Sequence, residues 1–365
     1  MSTMRAVRLT HWGQSPVVVD VPVPVPGAGE VLVAVEAAGL CQSDLHLMDG
    51  RAGDFPFDLP FTLGHEIAGR VAELGAGVDE SWRGRSVAVY AIHSCGTCRS
   101  CRAGRENYCR ALTGAIGPGI GHDGGLAEYV LVRDLRQLVP ADGIDAVSLA
   151  PLTDAGLTAY HAIRTNLEAV GGGAEVGAVL VIGVGGLGHL AVQILQATTS
   201  ARVVAVDPRA EARDSALAHG ADRAHAALDD AVAEHPREGF DLVLDFVGIP
   251  DTAETALTAL APGGTLVLVG SGGAEAAVGK NRGLNRGWSV SAPFWGPRVD
   301  LERVIDLAAR GRLGAETEVW DLERVPEAYD RLRQGRIRGR AVVQPDMHRA
   351  RDSAARGATH QGAPL

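Results

Sequence analysis

Lysine is almost absent from this 365-residue chain, since Lys280 is the only one and arginine supplies every other basic side chain. We attribute this shortage to the base composition of the coding sequence. Basic residues are also outnumbered by acidic ones, 34 to 44, and the resulting net charge of −10 would repel a phosphate backbone. The sequence therefore predicts no nucleic-acid partner.

Long apolar runs are missing as well. No run approaches the ~20 apolar residues that a membrane-spanning helix needs, so we expect no membrane segment. The first ten residues, MSTMRAVRLT, contain no apolar core of the kind that directs export, and we therefore expect a cytoplasmic protein. With 46% apolar and 21% charged residues the chain is typical of globular proteins, and its length allows two or three domains.

Cysteine is scarce, but four of the five cysteines fall close together, at Cys95, Cys98, Cys101 and Cys109. A chain that is not exported keeps its thiols reduced, and four neighbouring thiolates suit tetrahedral zinc in a structural site. The first three spacings also match an iron–sulfur motif, but the last gap is seven residues and Arg110 follows where that motif has proline. The sequence favours structural zinc over an iron–sulfur cluster or free thiols, in a lobe over residues 93–112.

The order of the predicted elements indicates two kinds of domain. Up to about residue 152, short strands such as 4–9, 30–37 and 66–73 alternate with proline- and glycine-containing turns. After that point a helix is predicted over 155–168 and a fully apolar strand over 178–183, and helices and strands then alternate. Such alternation is typical of a parallel sheet with right-handed crossovers. The predicted fold class is therefore α/β with a β-rich domain.

A glycine-rich motif, G-V-G-G-L-G, follows the predicted strand 178–183 and opens a helix. In this context it predicts a dinucleotide site, in which the pyrophosphate lies at the helix N-terminus. Asp207 ends the next strand, where it would bind the ribose hydroxyls and repel a 2′-phosphate, so NAD is favoured over NADP. Arg209 and Arg213 weaken this preference, and a plain glycine-rich turn or an FAD site are the alternatives. The residues assigned to this loop are Gly183, Gly185, Gly186, Leu187 and Gly188.

Three distant residues are candidates for a second metal site. Cys41, His65 and Asp154 would supply a thiolate, an imidazole and a carboxylate, and a catalytic zinc takes three protein ligands with one open position. Each residue also has an ordinary interpretation: Cys41 as a small buried residue, His65 as a core or surface histidine, and Asp154 as a helix cap. Spacing alone does not choose between them.

Taken together, these motifs resemble those of a known family over almost the whole chain. The segments G-L-C-Q-S-D-L-H, L-G-H-E, C-G-T-C-R-S-C-R-A-G-R-E-N-Y-C, P-L-T-D-A-G-L-T-A-Y-H-A and V-I-G-V-G-G-L-G are similar to those of zinc-dependent medium-chain dehydrogenases, specifically bacterial NAD-dependent secondary-alcohol dehydrogenases. The resemblance implies a GroES-like catalytic domain over residues 1–154 and 296–346 and a doubly wound Rossmann domain over 155–295. We expect the tail, 347–365, to be disordered.

The resemblance also implies two zinc ions per subunit. Cys41, His65 and Asp154 would bind the catalytic zinc, with Glu66 as a possible fourth ligand and Asp44 orienting the ring of His65. Many relatives carry cysteine where this chain has Asp154. The charges of the three ligands and the metal sum to zero in either case, so the departure affects metal affinity more than mechanism.

The remaining roles come from the same resemblance. The reaction is the reversible oxidation of an alcohol, with hydride transfer to NAD from a zinc-bound alkoxide and proton transfer through Ser43 and His46. Contacts with the coenzyme are implied for Thr158 and Val269 at the nicotinamide and for Arg340 at the pyrophosphate. Two large residues, Phe55 and Trp295, are expected in the substrate pocket, although Trp295 also suits an ordinary core.

These observations predict an enzyme that acts on small alcohols and ketones, mainly secondary alcohols, and that forms a homodimer or homotetramer. A related enzyme acting on polyols or aromatic alcohols is the main alternative. A metal-free quinone or enoyl reductase would lack the cysteine lobe, and a zinc-ribbon module for nucleic acid would carry a basic face and a single zinc.

Overall fold

The computed structural model describes residues 2–167, 177–234, 239–277 and 286–346. The tail predicted to be disordered, 347–365, lies outside the described residues. The strands in chain order are β1 (Thr3–Leu9), β2 (Val17–Pro22), β3 (Val31–Gly39), β4 (Phe61–Thr62), β5 (Glu66–Leu74), β6 (Ser86–Val89), β7 (Gly117–Pro118), β8 (Gly121–His122), β9 (Tyr129–Val132), β10 (Leu138–Pro140), β11 (Ala178–Ile182), β12 (Arg202–Val206), β13 (Arg223–His225), β14 (Phe240–Asp245), β15 (Leu260–Leu268), β16 (Ser289–Ser291), β17 (Thr317–Asp321) and β18 (Arg340–Gln344).

The α-helices are named in the same way. They are α1 (Gln42–Asp49), α2 (Arg99–Arg102), α3 (Ala146–Leu149), α4 (Ala155–Leu167), α5 (Gly188–Thr198), α6 (Ala210–Ala218), α7 (Leu228–Glu234), α8 (Pro250–Thr258), α9 (Arg298–Ala309) and α10 (Val325–Arg333).

The chain divides into two compact units, Met1–Asp154 with Glu316–Leu365, and Ala155–Ala315. The first unit is rich in β-structure. Its main sheet has the order β10-β6-β5-β3-β18-β17, with β9 also paired to β3, and a smaller sheet has the order β2-β1-β4. The central strand β3 is antiparallel to both β5 and β18, and its apolar residues Val31, Val33 and Val35 are fully buried.

The second unit contains the parallel sheet that the sequence predicts. Its strand order is β13-β12-β11-β14-β15-β16, with helices between the strands. Every residue of β11 is buried, as expected for a strand covered on both faces. The order reverses at β11, which lies between β12 and β14, and this is where doubly wound sheets bind their ligands. The fold class read from the sequence is confirmed.

The first boundary between the units follows Asp154, which is also where the predicted domains divide. The second boundary, at which the chain returns to the first unit, differs from the predicted one. The family resemblance assigns residues 296–315 to the catalytic domain, whereas the structure groups them with the parallel sheet. A buried carboxylate links this segment to the second unit. Asp300 on α9 lies 2.7 Å from His161 Nδ1 and accepts hydrogen bonds from Arg164, and both partners belong to α4.

Among the described residues, no helix is both long enough and apolar enough to cross a lipid bilayer.

Candidate active site and metal centres

The register of two neighbouring strands explains how Cys41 meets His65. Gly39, at the end of β3, pairs with Glu66, at the start of antiparallel β5. Cys41 follows β3 and caps α1, while His65 immediately precedes β5. A side chain at Gly39 would collide with the Glu66 carboxylate, since a Cβ there would lie 1.8 Å from Glu66 Oε2. This glycine therefore allows a carboxylate to be buried beside the candidate ligands.

Asp154 is brought close to Cys41 and His65 by hydrogen bonds of the preceding residue, Thr153. The hydroxyl of Thr153 accepts a hydrogen bond of 3.2 Å from the backbone N–H of Ile67, on β5. The same hydroxyl donates to the carbonyl of Ala150. This anchor fixes the segment before Asp154 against the strand that His65 precedes, although the two residues are far apart in sequence.

The spacing of the three candidate ligands is compatible with a tetrahedral zinc. The Sγ of Cys41 and the Nε2 of His65 each lie 3.5 Å from Asp154 Oδ2, and the ligand atoms all lie within 4.8 Å of one another. Metal–ligand bonds of about 2.0–2.3 Å at tetrahedral angles place ligand atoms about 3.3–3.8 Å apart. All three side chains are buried, and their donor set is one that zinc accepts. The residues present therefore fit a zinc ion.

A buried carboxylate orients His65. Asp44 is 0% exposed, and its Oδ1 lies 3.2 Å from His65 Nδ1. This arrangement leaves Nε2 directed toward Cys41 and Asp154, as zinc ligation requires. Burial opposes a charged imidazolium, but Asp44 and Asp154 together raise the pKa of His65 well above its usual value. The same negative groups would stabilise a bound cation.

Glu66 and Arg340 form a buried ion pair beside this cluster. Glu66 is 0% exposed and Arg340 only 4%, and Arg340 Nη2 donates to Glu66 Oε1. Burial raises the pKa of Glu66 to about 8, against the lowering effect of Arg340. The family resemblance implies a fourth zinc ligand at Glu66 and a pyrophosphate contact at Arg340. In the structure these two side chains bind each other, so both roles stay predictions.

The four clustered cysteines also converge on one point. Cys98 Sγ lies 3.5 Å from Cys101 Sγ, and Cys95 Sγ lies 3.9 Å from the latter, close to the ~3.8 Å expected between sulfurs around a tetrahedral zinc. Backbone N–H groups of Thr97 and Cys98 lower the pKa of Cys95 to about 6, whereas burial raises the pKa of Cys101 to about 12. Four converging thiols fit a structural zinc, and a bound cation would hold all four as thiolates.

The coenzyme loop shows why particular positions must be glycine. Gly183 has φ of 85°, a conformation that side chains disfavour, and it turns the chain out of β11. A Cβ at Gly188 would lie 1.9 Å from the carbonyl oxygen of Gly183, so only glycine lets α5 begin so close to the strand. The three residues between these two glycines are each half-buried: Gly185, Gly186 and Leu187. The loop therefore places the N-terminus of α5 where a pyrophosphate would bind.

Asp207 lies at the end of β12, but its carboxylate already has partners. It accepts hydrogen bonds from the backbone N–H of Val184 at 2.9 Å and from the guanidinium of Arg209 at 2.9 and 2.8 Å. Burial opposes its ionisation, yet Arg209 and the backbone donors lower the pKa of Asp207. A ribose hydroxyl would therefore have to share this carboxylate with Arg209, which the motif alone did not indicate.

The predicted proton-transfer residues lie on one helix of the first unit. Ser43 Oγ lies 3.6 Å from Cys41 Sγ, and His46 is exposed one turn further along α1. In the second unit Thr158 is half-buried on α4, and Val269 follows β15, where its N–H donates to the carbonyl of Asp245.

The two predicted pocket residues belong to different units. Phe55, in the first, stacks on Trp12 and Phe57, with ring centroids 5.3 and 5.4 Å apart. Trp295, in the second, is 8% exposed and has φ of 50°. A bulky residue in this left-handed region is strained, and such strain is concentrated at functional sites.

Two residues of these centres are missing from the sequence analysis. Tyr329 on α10 donates a hydrogen bond of 3.0 Å to Asp44 Oδ2. Arg136 donates to the carbonyl of Ser94 in the cysteine lobe, and its guanidinium packs against Gly96, where a Cβ would lie 2.0 Å from Nη1. Neither stands in a recognisable motif. The only available signal for Tyr329 is its place on the apolar face of the amphipathic helix α10.

Comparison with known proteins agrees with this geometry. The family model of the alcohol dehydrogenase GroES-like domain matches residues 27–143, and that of zinc-binding dehydrogenases matches residues 186–310. An NAD-dependent alcohol dehydrogenase of Sulfurisphaera tokodaii is 36% identical over 356 residues, which cover 94% of this chain and 100% of that protein. The chain belongs to the zinc-binding alcohol dehydrogenase family.

Solved structures of similar proteins lead to the same family. The alcohol dehydrogenase of Aeropyrum pernix matches with a TM-score of 0.85 and 33% identity, covering 93% of this chain and 100% of that one. Acetophenone reductase of Geotrichum candidum, solved in complex with NAD, matches with a TM-score of 0.84 and 34% identity, covering 94% and 98%. The predicted GroES-like and Rossmann architecture and the predicted cofactors, zinc and NAD, are thereby confirmed at the level of the family.

Proposed function

We propose that this chain is a zinc-dependent alcohol dehydrogenase that reversibly oxidises mainly secondary alcohols to ketones, with NAD as hydride acceptor. The observation that carries the proposal is the buried cluster of Cys41, His65 and Asp154. It combines a donor set and a spacing that suit zinc in a chain whose relatives are NAD-dependent alcohol dehydrogenases.

Zinc, when bound at this cluster, supplies Lewis acidity that lowers the pKa of an alcohol hydroxyl. Cys41 and Asp154 each contribute one negative charge, which together offset the charge of Zn²⁺. Ser43, half-buried and next to the Cys41 sulfur, is placed to receive the alcohol proton. His46, exposed on the same helix, would release that proton to solvent after transfer through the coenzyme ribose.

The second unit would bind and orient the coenzyme. The pyrophosphate would lie on the backbone N–H groups at the start of α5, and Asp207 would accept a ribose hydroxyl. Thr158 and Val269 would contact the nicotinamide ring, and Arg340 of the first unit would contact the pyrophosphate. These roles follow the family pattern at matching positions.

A preference for secondary alcohols is supported by a relative that is an acetophenone reductase, an enzyme named for a ketone. The test is steady-state kinetics of the zinc-loaded protein with NAD, using 2-propanol and ethanol, which differ by one methyl group on the carbinol carbon, as a matched pair. A single methyl group in an apolar pocket discriminates by roughly 10–200-fold, so we expect kcat/KM at least about tenfold higher for 2-propanol. Equal values, or higher values with polyols or benzyl alcohol, would favour the alternative substrate classes.

The metal assignment has its own test. Cys41→Ala removes one donor from the three-residue cluster and leaves the four-cysteine lobe untouched. We expect zinc content to fall from two ions per chain to one, and turnover to fall by about 10³-fold or more because Lewis-acid assistance is lost. Circular dichroism should remain that of the wild type. A variant that still oxidises 2-propanol at the wild-type rate would remove the catalytic-zinc assignment.

We further propose a small-molecule alcohol or ketone as the partner, a homodimer or homotetramer as the assembly, and the cytoplasm as the location. The five cysteines are free of disulfides in the structure, which suits a reducing compartment. Light scattering coupled to size-exclusion chromatography would measure the subunit number.

A further inference from the structure

We propose that Tyr329 is a positioning residue of the catalytic metal centre. Its hydroxyl fixes the carboxylate of Asp44, and Asp44 in turn holds His65 in the orientation that presents Nε2 to the metal. The inference rests on the proposed zinc site and extends it to a residue on the C-terminal helix of the first unit.

The first support is the hydrogen bonding of Asp44. Its Oδ2 accepts two hydrogen bonds of 3.0 Å, one from the Tyr329 hydroxyl and one from the backbone N–H of Cys41, and its Oδ1 lies 3.2 Å from His65 Nδ1. One carboxylate therefore contacts two of the three candidate zinc ligands. Tyr329 supplies a side-chain hydrogen bond to this carboxylate from outside the cluster.

The second support is burial. Asp44 is 0% exposed and Tyr329 is 3% exposed, so water is excluded from both. A buried carboxylate that loses a hydrogen-bond donor keeps a strong need for another partner. Without the tyrosine hydroxyl, Asp44 would rotate toward its remaining donors, and the imidazole of His65 would lose its fixed orientation.

The third support is the way in which α10 is held against α1. Val325, Ala328 and Tyr329 form the buried face of α10. One turn beyond Tyr329, Arg333 makes a bidentate salt bridge with Asp49, at the end of α1. Its Nη1 and Nη2 lie 2.6 and 2.8 Å from the two carboxylate oxygens. The same two helices are thus joined twice, once through the metal centre and once through an exposed pair. This second contact gives a matched control.

The test is the rate at which zinc passes to the chelator 4-(2-pyridylazo)resorcinol from the zinc-loaded full chain. Tyr329→Phe removes only the hydroxyl. Partners that orient a metal ligand are worth roughly 10–100-fold in metal affinity, so we expect release from the catalytic site to accelerate at least about tenfold. Release from the four-cysteine site, measured in the same trace, should be unchanged.

Two further variants separate positioning from simple helix packing. Arg333→Gln loosens the contact between α10 and α1 without touching Asp44, and we expect it to release zinc at the wild-type rate. In an Asp44→Asn background, adding Tyr329→Phe should bring no further acceleration, because the hydroxyl acts through Asp44.

The inference is overturned if Tyr329→Phe releases zinc at the wild-type rate, or if Arg333→Gln accelerates release equally. These outcomes differ from failure of the proposed function. If Cys41→Ala retains two zinc ions per chain, the catalytic site itself is wrong. If Cys41→Ala loses one ion and Tyr329→Phe releases zinc normally, only the role of Tyr329 is wrong. If Tyr329→Phe fails to fold, Asp44→Asn alone decides, because Tyr329 acts through Asp44: release of the catalytic zinc at the wild-type rate would overturn the inference.

Discussion

Replacing Arg340 by methionine tests the buried ion pair with Glu66. Both side chains are almost fully inaccessible to water, and methionine retains much of the volume of arginine without its charge. Removing one partner of a buried pair leaves the other charge uncompensated, which costs about 3–5 kcal/mol of unfolding free energy at a pH where Glu66 is ionised. The matched control is Arg338→Met. Arg338 pairs with Glu316 but is 69% exposed, so this change should cost only ~0–1 kcal/mol.

The cost should also depend on pH. Burial raises the pKa of Glu66 and Arg340 lowers it, so loss of Arg340 raises this pKa further. In the unfolded chain the Glu66 carboxyl loses its proton above a pKa of about 4.5, whereas in the folded protein it keeps the proton to higher pH. Between these two pKa values the unfolding free energy falls by about 1.4 kcal/mol for each unit that the pH rises. The deficit of Arg340→Met relative to wild type should therefore be larger at pH 9 than at pH 7.

The assay is guanidinium unfolding of zinc-saturated protein, followed by tryptophan fluorescence and circular dichroism. The double variant Glu66→Gln/Arg340→Met carries no uncompensated charge and should recover most of the lost stability. If it also binds NAD more weakly than Glu66→Gln alone, the predicted pyrophosphate contact of Arg340 is supported. A single variant no less stable than Arg338→Met at either pH would refute the reasoning.

The remaining predictions concern the coenzyme site and the cysteine lobe. Asp207→Ser should lower the ratio of kcat/KM for NAD over NADP by at least about tenfold, because it removes the ribose acceptor and frees the Arg209 guanidinium for a 2′-phosphate. An unchanged ratio would mean that Asp207 does not contact the ribose. Cys98→Ala should lower the melting temperature and the zinc content by one ion per chain, because the lobe folds around its metal. A variant with wild-type stability but no activity would contradict a structural role for this site.

Local sequence patterns predicted the cysteine lobe, the coenzyme loop and the parallel sheet. The four lobe cysteines lie within a short segment, so their convergence follows from chain geometry. The Gly183–Gly188 loop is likewise local, because the strand before it and the helix after it are adjacent in the chain. The apolar strand 178–183 and the alternation of helices and strands predicted the parallel sheet, since a strand buried on both faces has no polar side.

Contacts between distant segments depended on tertiary structure. Cys41 and Asp154 are separated by more than a hundred residues, and only the β3–β5 register and the Thr153 anchor place them together. The family resemblance supplied that grouping in advance, because the spacing of these residues carries no information about it.

Other partnerships were not available from any motif. The pairing of Arg340 with Glu66, of Arg209 with Asp207 and of Tyr329 with Asp44 each gives a recognised residue a partner that the sequence did not indicate. Residue type and local periodicity determine which elements form and which side chains carry chemistry. Which buried charge faces which donor depends on the packing of distant elements, because a buried polar group must find its partner among whatever the fold places within about 3 Å of it.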